Sequence, residues 1–215
     1  MLPQLILIPG LLNDAELFRD QLTGLADIAR PVVADITRGG TLAELARDVL
    51  ALAGFSLGGI VAQEILRQFP NRVSHLALMD TTFLPDAPGR AAERQRLIAM
   101  ARNPGKFHGL GEKLLEAYLA PQSLSNATMA RRVRGMTKQL GPEVFIRQSL
   151  IEHPDSRPDL RHIACPTLVL CGAHDALTPV ALHRDMAVVP DAGHLTPIEQ
   201  PEAVNAALRP LLARL

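Results

Sequence analysis

Residues 51–60, Ala-Leu-Ala-Gly-Phe-Ser-Leu-Gly-Gly-Ile, constrain the fold more than any other stretch of the chain. A short apolar run enters Gly54-Phe55-Ser56-Leu57-Gly58, and an apolar segment of helical period follows. That order predicts a sharp turn at Ser56 between a buried strand and a helix. The turn strains the serine backbone and lifts its hydroxyl clear of the sheet. Side chains at Gly54 and Gly58 would collide across so tight a turn. The helix N-terminus beneath Ser56 favours negative charge developing beside it.

The rest of the chain alternates in the same way. Leu5-Ile6-Leu7-Ile8, stopped by Pro9-Gly10, reads as a buried parallel strand. Further strands are predicted at Pro31–Ile36, Ala51–Phe55, His75–Asp80, Thr167–Cys171 and Val188–Val189. Helices are predicted at Ile60–Phe69, after a capping box at Thr41-Leu42-Ala43-Glu44, and after Thr178-Pro179. A second capping box, Thr196-Pro197-Ile198-Glu199, precedes a last helix carrying Val204, Leu208, Leu211 and Leu212. From about Phe83 to Leu160 the pattern is helical, for example Arg90–Ala101 and Gly111–Tyr118, broken by prolines. The expected fold is α/β: a mostly parallel sheet of about six strands with helices on both faces. Residues 1–82 and 161–215 form its core, and 83–160 an inserted helical lid over the strand ends.

Composition narrows the function classes. Lys+Arg and Asp+Glu are both 22, so zero net charge argues against nucleic acid or an anionic membrane as partner. No apolar run approaches membrane-spanning length. The start, Met1-Leu2-Pro3-Gln4, shows no leader segment, and Cys165 and Cys171 read as two reduced thiols. The expected location is cytoplasmic. The seven histidines lack His-Glu-x-x-His spacing, so no metal is expected, and no cofactor is implied.

A serine hydroxyl needs a base and an orienting acid to act as a nucleophile near neutral pH. Two strand ends supply them. The fifth strand runs into Gly172-Ala173-His174-Asp175, and the sixth into Asp191-Ala192-Gly193-His194. Asp80, also just past a strand end, rivals Asp175 as the acid. His174 reads as exposed and Asp191 as a turn residue.

The chain order Ser56, Asp175, His194, with Ile8-Pro9-Gly10-Leu11-Leu12 and Gly54–Gly59, resembles the α/β-hydrolase superfamily over nearly the whole length. It is similar to small bacterial carboxylic-ester hydrolases with a helical lid, such as the pimeloyl carrier-protein methyl ester esterases. The resemblance implies Ser56 as nucleophile, His194 as general base and acid, and Asp175 as the group orienting His194. It implies an oxyanion hole made by the backbone N–H groups of Leu11 and Leu57. The implied reaction is hydrolysis of a small or medium carboxylic ester through an acyl-enzyme. C–C bond cleavage, elimination and non-catalytic ligand binding are the alternatives, since one fold and triad support many reactions. Oligomeric state is not legible.

The chain departs from the family pattern at several places. Pro9 stands where a histidine is usual, and the family's leading antiparallel strands are not expected. Leu45–Leu50 passes into a strand without a turn residue, as does Ala181–Met186. Helix-to-strand loops normally take about two to six residues. Both junctions are therefore expected to be breaks.

Overall fold

The computed structural model describes residues 2–37, 50–103, 107, 109, 111–182 and 186–213. The Thr41–Glu44 capping box lies outside these residues. So do 38–49 and 183–185, on which the two short junctions depend.

β1 (Gln4–Ile8) is followed by a 3₁₀ turn at Ala15–Phe18, α1 (Arg19–Gly24), β2 (Arg30–Val33) and β3 (Leu50–Phe55). α2 (Leu57–Gln68) and β4 (Val73–Met79) come next. The segment between β4 and β5 carries α3 (Pro88–Ala101), α4 (Glu112–Tyr118), α5 (Ala127–Ser149) and the short α6 (Arg157–Leu160). β5 (Thr167–Gly172), β6 (Ala187–Val189), α7 (Thr196–Glu199) and α8 (Pro201–Leu212) complete the order. The six strands form one sheet in the order β2-β1-β3-β4-β5-β6, and every neighbouring pair is parallel.

Both faces of the sheet are buried, which explains why its strands read as continuous apolar runs. Alternate residues of β1 separate as the pleat requires. Ile6 and Ile8 pack with Leu52, Leu76 and Leu78 against Ala62, Ile65 and Leu66 of α2. Leu5 and Leu7 pack on the other face with Ala53, Phe55, Met79, Phe18 and the α8 residues Val204 and Leu208. Each such large apolar side chain contributes about 1.5–3 kcal/mol by leaving water.

Several boundaries differ from the sequence reading. β2 ends at Val33 rather than Ile36 because Asp35 Oδ1 accepts from Thr37 N (2.8 Å) and turns the chain. α2 begins at Leu57, three residues early, directly on the Ser56 turn. β4 starts at Val73 and stops before Asp80, whose backbone is left-handed (φ 47°). Among the described residues, a 3₁₀ turn, Val180–Leu182, follows Thr178-Pro179. As the prolines predict, α5 is two helical stretches meeting at a kink at Gly141 (φ 75°), where Pro142 also removes a backbone donor.

Candidate active site

Among the described residues, four non-glycine residues have left-handed backbones: Leu12, Ser56, Asp80 and Asp191. Each lies a short way past the C-terminal end of a parallel strand, β1, β3, β4 and β6 respectively. Conformations of this kind persist only where surrounding structure holds them, and they cluster at functional sites. At Ser56 (φ 52°) the holding bonds are visible. Its N–H donates to Met79 O (2.9 Å), and its carbonyl accepts from Thr81 Oγ1 (2.6 Å). A Cβ on Gly54 would lie 2.3 Å from Gly58 O, and one on Gly58 2.1 Å from Ile8 O. Only glycine lets β3, the turn and α2 approach so closely.

The turn delivers Ser56 to His194. His194 Nε2 lies 2.9 Å from Ser56 Oγ, and His194 Nδ1 lies 2.9 Å from Asp175 Oδ2. A carboxylate only accepts, so Nδ1 carries the ring hydrogen and Nε2 is left to accept from the serine hydroxyl. His194 is 1% exposed and Asp175 5%. Burial opposes the Asp175 charge. The His194 ring, the Thr178 hydroxyl and the Thr178 N–H outweigh it and hold the carboxyl well below the usual carboxylate range. Asp175 Oδ1 also accepts from the N–H groups of Leu177 (2.7 Å) and Thr178 (2.9 Å), and Oδ2 from Thr178 Oγ1 (2.6 Å). Thr178 therefore binds the Asp175 carboxylate.

Asp80 sits elsewhere. Its Oδ1 accepts from Gly172 N (2.9 Å) and its Oδ2 from Thr196 Oγ1, with no bond to His194. Burial, then the neighbouring Asp175 charge, raises its pKa well above the usual value. The Thr196–Glu199 capping box is likewise a misreading. Thr196 is the first residue of α7, and its hydroxyl is committed to Asp80. Glu199 is 7% exposed and reaches away from its own helix start. Its Oε1 accepts from Gly193 N (2.8 Å) and its Oε2 from Ala120 N (2.8 Å). Tyr118 O accepts from His194 N (2.8 Å) and Leu195 N (3.2 Å). The Tyr118 ring meets the imidazole edge-on at 5.4 Å. The histidine loop is thus tied to the end of α4 from both sides. His174 is exposed, and Asp191 is an exposed turn residue.

A cavity of about 250 Å³ opens over Ser56 and His194. Leu11, Leu57, Ile60, Leu97, Leu114 and Phe145 supply apolar wall, and Thr81, Gln148 and Ser149 polar wall. The two backbone donors expected from the resemblance, Leu11 and Leu57, both belong to this lining. Of the phenylalanines between β4 and β5, Phe145 lines the cavity, Phe107 packs on Phe145 (5.5 Å), and Phe83 borders a different cavity. Two further cavities, about 220 and 410 Å³, border Gln63, Leu160 and Ile163 and contain none of Ser56, Asp175 or His194.

Among the described residues, Asp80, Cys171 and Asp175 place one potential metal-ligand atom each within 4.8 Å of one another. Their atoms are already engaged by Gly172, Thr196, Thr178 and His194. Burial also pushes the Cys171 thiol up, away from the thiolate form a metal requires. The donor set does not suit a cation. No helix among the described residues is long and apolar enough to cross a membrane.

The chain is similar to known esterases in sequence and in fold. The chain is 32% identical over 154 residues to a pimeloyl-(acyl-carrier protein) methyl ester esterase of Chromobacterium violaceum, covering 66% of this chain and 58% of the relative. It is 28% identical over 193 residues to the dihydrolipoyllysine-residue acetyltransferase component of the acetoin cleaving system of Pseudomonas putida, covering 81% of this chain and 51% of that protein. The chain thus spans little more than half the length of these two relatives. A solved thermophilic esterase from Thermogutta terrifontis superposes with TM-score 0.84 at 28% identity, over 100% of this chain and 90% of that one. Residues 9–207 match the alpha/beta hydrolase family as a whole, and the chain belongs to that family.

Proposed function

We propose that the chain is a serine hydrolase that cleaves a small or medium carboxylic ester through an acyl-enzyme. The observation that carries this reading is the pair of 2.9 Å contacts made by the two His194 nitrogens, one to Ser56 Oγ and one to Asp175 Oδ2. In the first step Ser56 Oγ attacks the ester carbonyl while His194 Nε2 takes the hydroxyl proton. Asp175 keeps the imidazole in the tautomer with Nε2 free and stabilises the imidazolium that forms. The developing oxyanion is received by the N–H groups of Leu11 and Leu57. His194 returns its proton to the departing alkoxide, and an alcohol leaves. A water then repeats the sequence on the acyl-serine, releasing the acid and restoring Ser56.

Residues 83–160 act as a lid that selects substrates. Support comes from the cavity wall, where α3, α4 and α5 contribute Leu97, Leu114, Tyr118 and Phe145 opposite Ser56. No cofactor enters this mechanism. The relatives named as esterases agree with the reaction class.

The test is hydrolysis of p-nitrophenyl acetate with acid quenching during turnover. Acetylated Ser56 should be recovered by peptide mass spectrometry, and Ser56→Ala should abolish both adduct and turnover. Turnover that survives in Ser56→Ala would contradict the mechanism.

A further inference from the structure

We propose that Gln148 and Ser149, in the last turn of α5, form an oxygen-recognition subsite in the Ser56 cavity. The preferred ester then carries a second, neutral carbonyl oxygen on the part that enters this cavity. The inference rests on the hydrolase reading above and adds the substrate class to it.

Both residues border the cavity and both are buried: Gln148 is 1% exposed and Ser149 4%. Gln148 Oε1 accepts the Leu12 backbone N–H at 2.8 Å. A backbone N–H can only donate, so the amide oxygen must face Leu12. The orientation of the amide is fixed, and its NH2 group is left as a pure donor. Among the described residues, Gln148 Nε2 has no hydrogen-bond partner, and neither has Ser149 Oγ. More than about nine in ten buried polar groups are paired. Two adjacent donors without acceptors on the wall of one cavity call for acceptors brought by a ligand.

Two threonines of the wall are already engaged. Thr81 Oγ1 donates to Ser56 O, and Thr82 Oγ1 accepts from Leu84 N. The cations of the wall are also engaged. Arg90 Nη1 donates to Leu177 O, and Arg94 is paired with Asp86 and contacts His153. Glu93 lies in the same lining and is paired with Arg96. Arg94 is matched by Asp86, and uncommitted neutral donors suit a neutral acceptor better than a carboxylate. Because Gln148 also holds Leu12, next to the proposed oxyanion donor Leu11, substrate oxygen and oxyanion loop are linked through one side chain.

The experiment compares p-nitrophenyl esters of one chain length. One arm is p-nitrophenyl hexanoate, the second a series with a ketone at successive carbons of that chain, and the third the half-ester of the dicarboxylic acid of matching length. At least one ketone ester should exceed the plain hexanoate in kcat/KM by about tenfold or more. The readout for variants is this ratio. Gln148→Glu keeps an oxygen for Leu12 N but replaces the donor with an acceptor, and should bring the ratio to about one or below. Ser149→Ala should lower it too, and carries the test if Gln148→Glu does not fold. No ketone advantage, or an advantage untouched in both variants, would overturn the subsite. A gain confined to the half-ester would also overturn it and assign recognition to Arg90 and Arg94. Failure to hydrolyse even p-nitrophenyl acetate would instead defeat the hydrolase reading.

Discussion

Glu199→Ala should unfold the histidine loop's support and cost a large part of the protein's stability. Glu199 is 7% exposed, and its two oxygens take the N–H groups of Gly193 and Ala120 at 2.8 Å each. Alanine leaves both donors buried and unmatched. Hydrogen bonds to charged groups are worth ~1.5–3 kcal/mol, so the expected loss is about 3–6 kcal/mol. Against a typical total of ~5–15 kcal/mol this is severe, and for a chain of this size it lowers Tm by on the order of 10 °C. Glu199→Gln keeps one acceptor and turns an NH2 against the other donor, so it should lose about half as much. Urea unfolding measures both, as a shift of the midpoint at unchanged slope. Gly193 precedes His194, so kcat should fall more than KM rises in both variants. A loss below about 1 kcal/mol in Glu199→Ala would refute the reasoning, since two buried donors cannot then depend on this carboxylate.

Three further outcomes follow from the same geometry. Ser56→Ala and His194→Ala should each lower turnover by several orders of magnitude, with the double variant little worse than either, because the residues act as a unit; additive losses in kcat would contradict this. Burial, then the Asp175 charge, raises the Asp80 pKa, so the folded state holds this proton more tightly than the unfolded chain. The stability it contributes is complete below the unfolded carboxylate value of about 3.9 and is lost as pH rises through the folded value. Asp80→Asn escapes that loss, so its urea midpoint should gain on wild type as pH rises above about 4; a constant difference would count against it. Replacing cavity-facing residues of the proposed lid, such as Leu97 or Leu114, should change acyl-chain preference more than turnover of the acetate ester; equal losses on short and long esters would assign them a structural role only.

The parts of the fold and site that were legible are those set by local patterns. The Ser56 turn was readable because Gly54 and Gly58 are needed within two residues of it, and the structure places backbone where their Cβ atoms would go. The strands themselves were legible because buried parallel strands are apolar throughout. The illegible parts depend on partners far along the chain. Thr196 and Glu199 have the spacing of a capping box, yet Thr196 bonds Asp80, 116 residues away, and Glu199 bonds Ala120, 79 away. Thr178 looked like a helix cap because a threonine before proline usually is one, and nothing local shows that Asp175 claims its hydroxyl. Gln148, bonded to Leu12 across 136 residues, carried no signal beyond its place in an amphipathic segment. A polar residue whose partner is distant is indistinguishable in sequence from one facing water.

The most direct measurement is labelling with a fluorophosphonate probe followed by peptide mapping. The reagent reacts with a serine whose proton a neighbouring base can remove. The account predicts one adduct per chain, on Ser56, formed much more slowly in His194→Ala and absent in Ser56→Ala. Labelling at another serine, or undiminished labelling of Ser56 without His194, would contradict it.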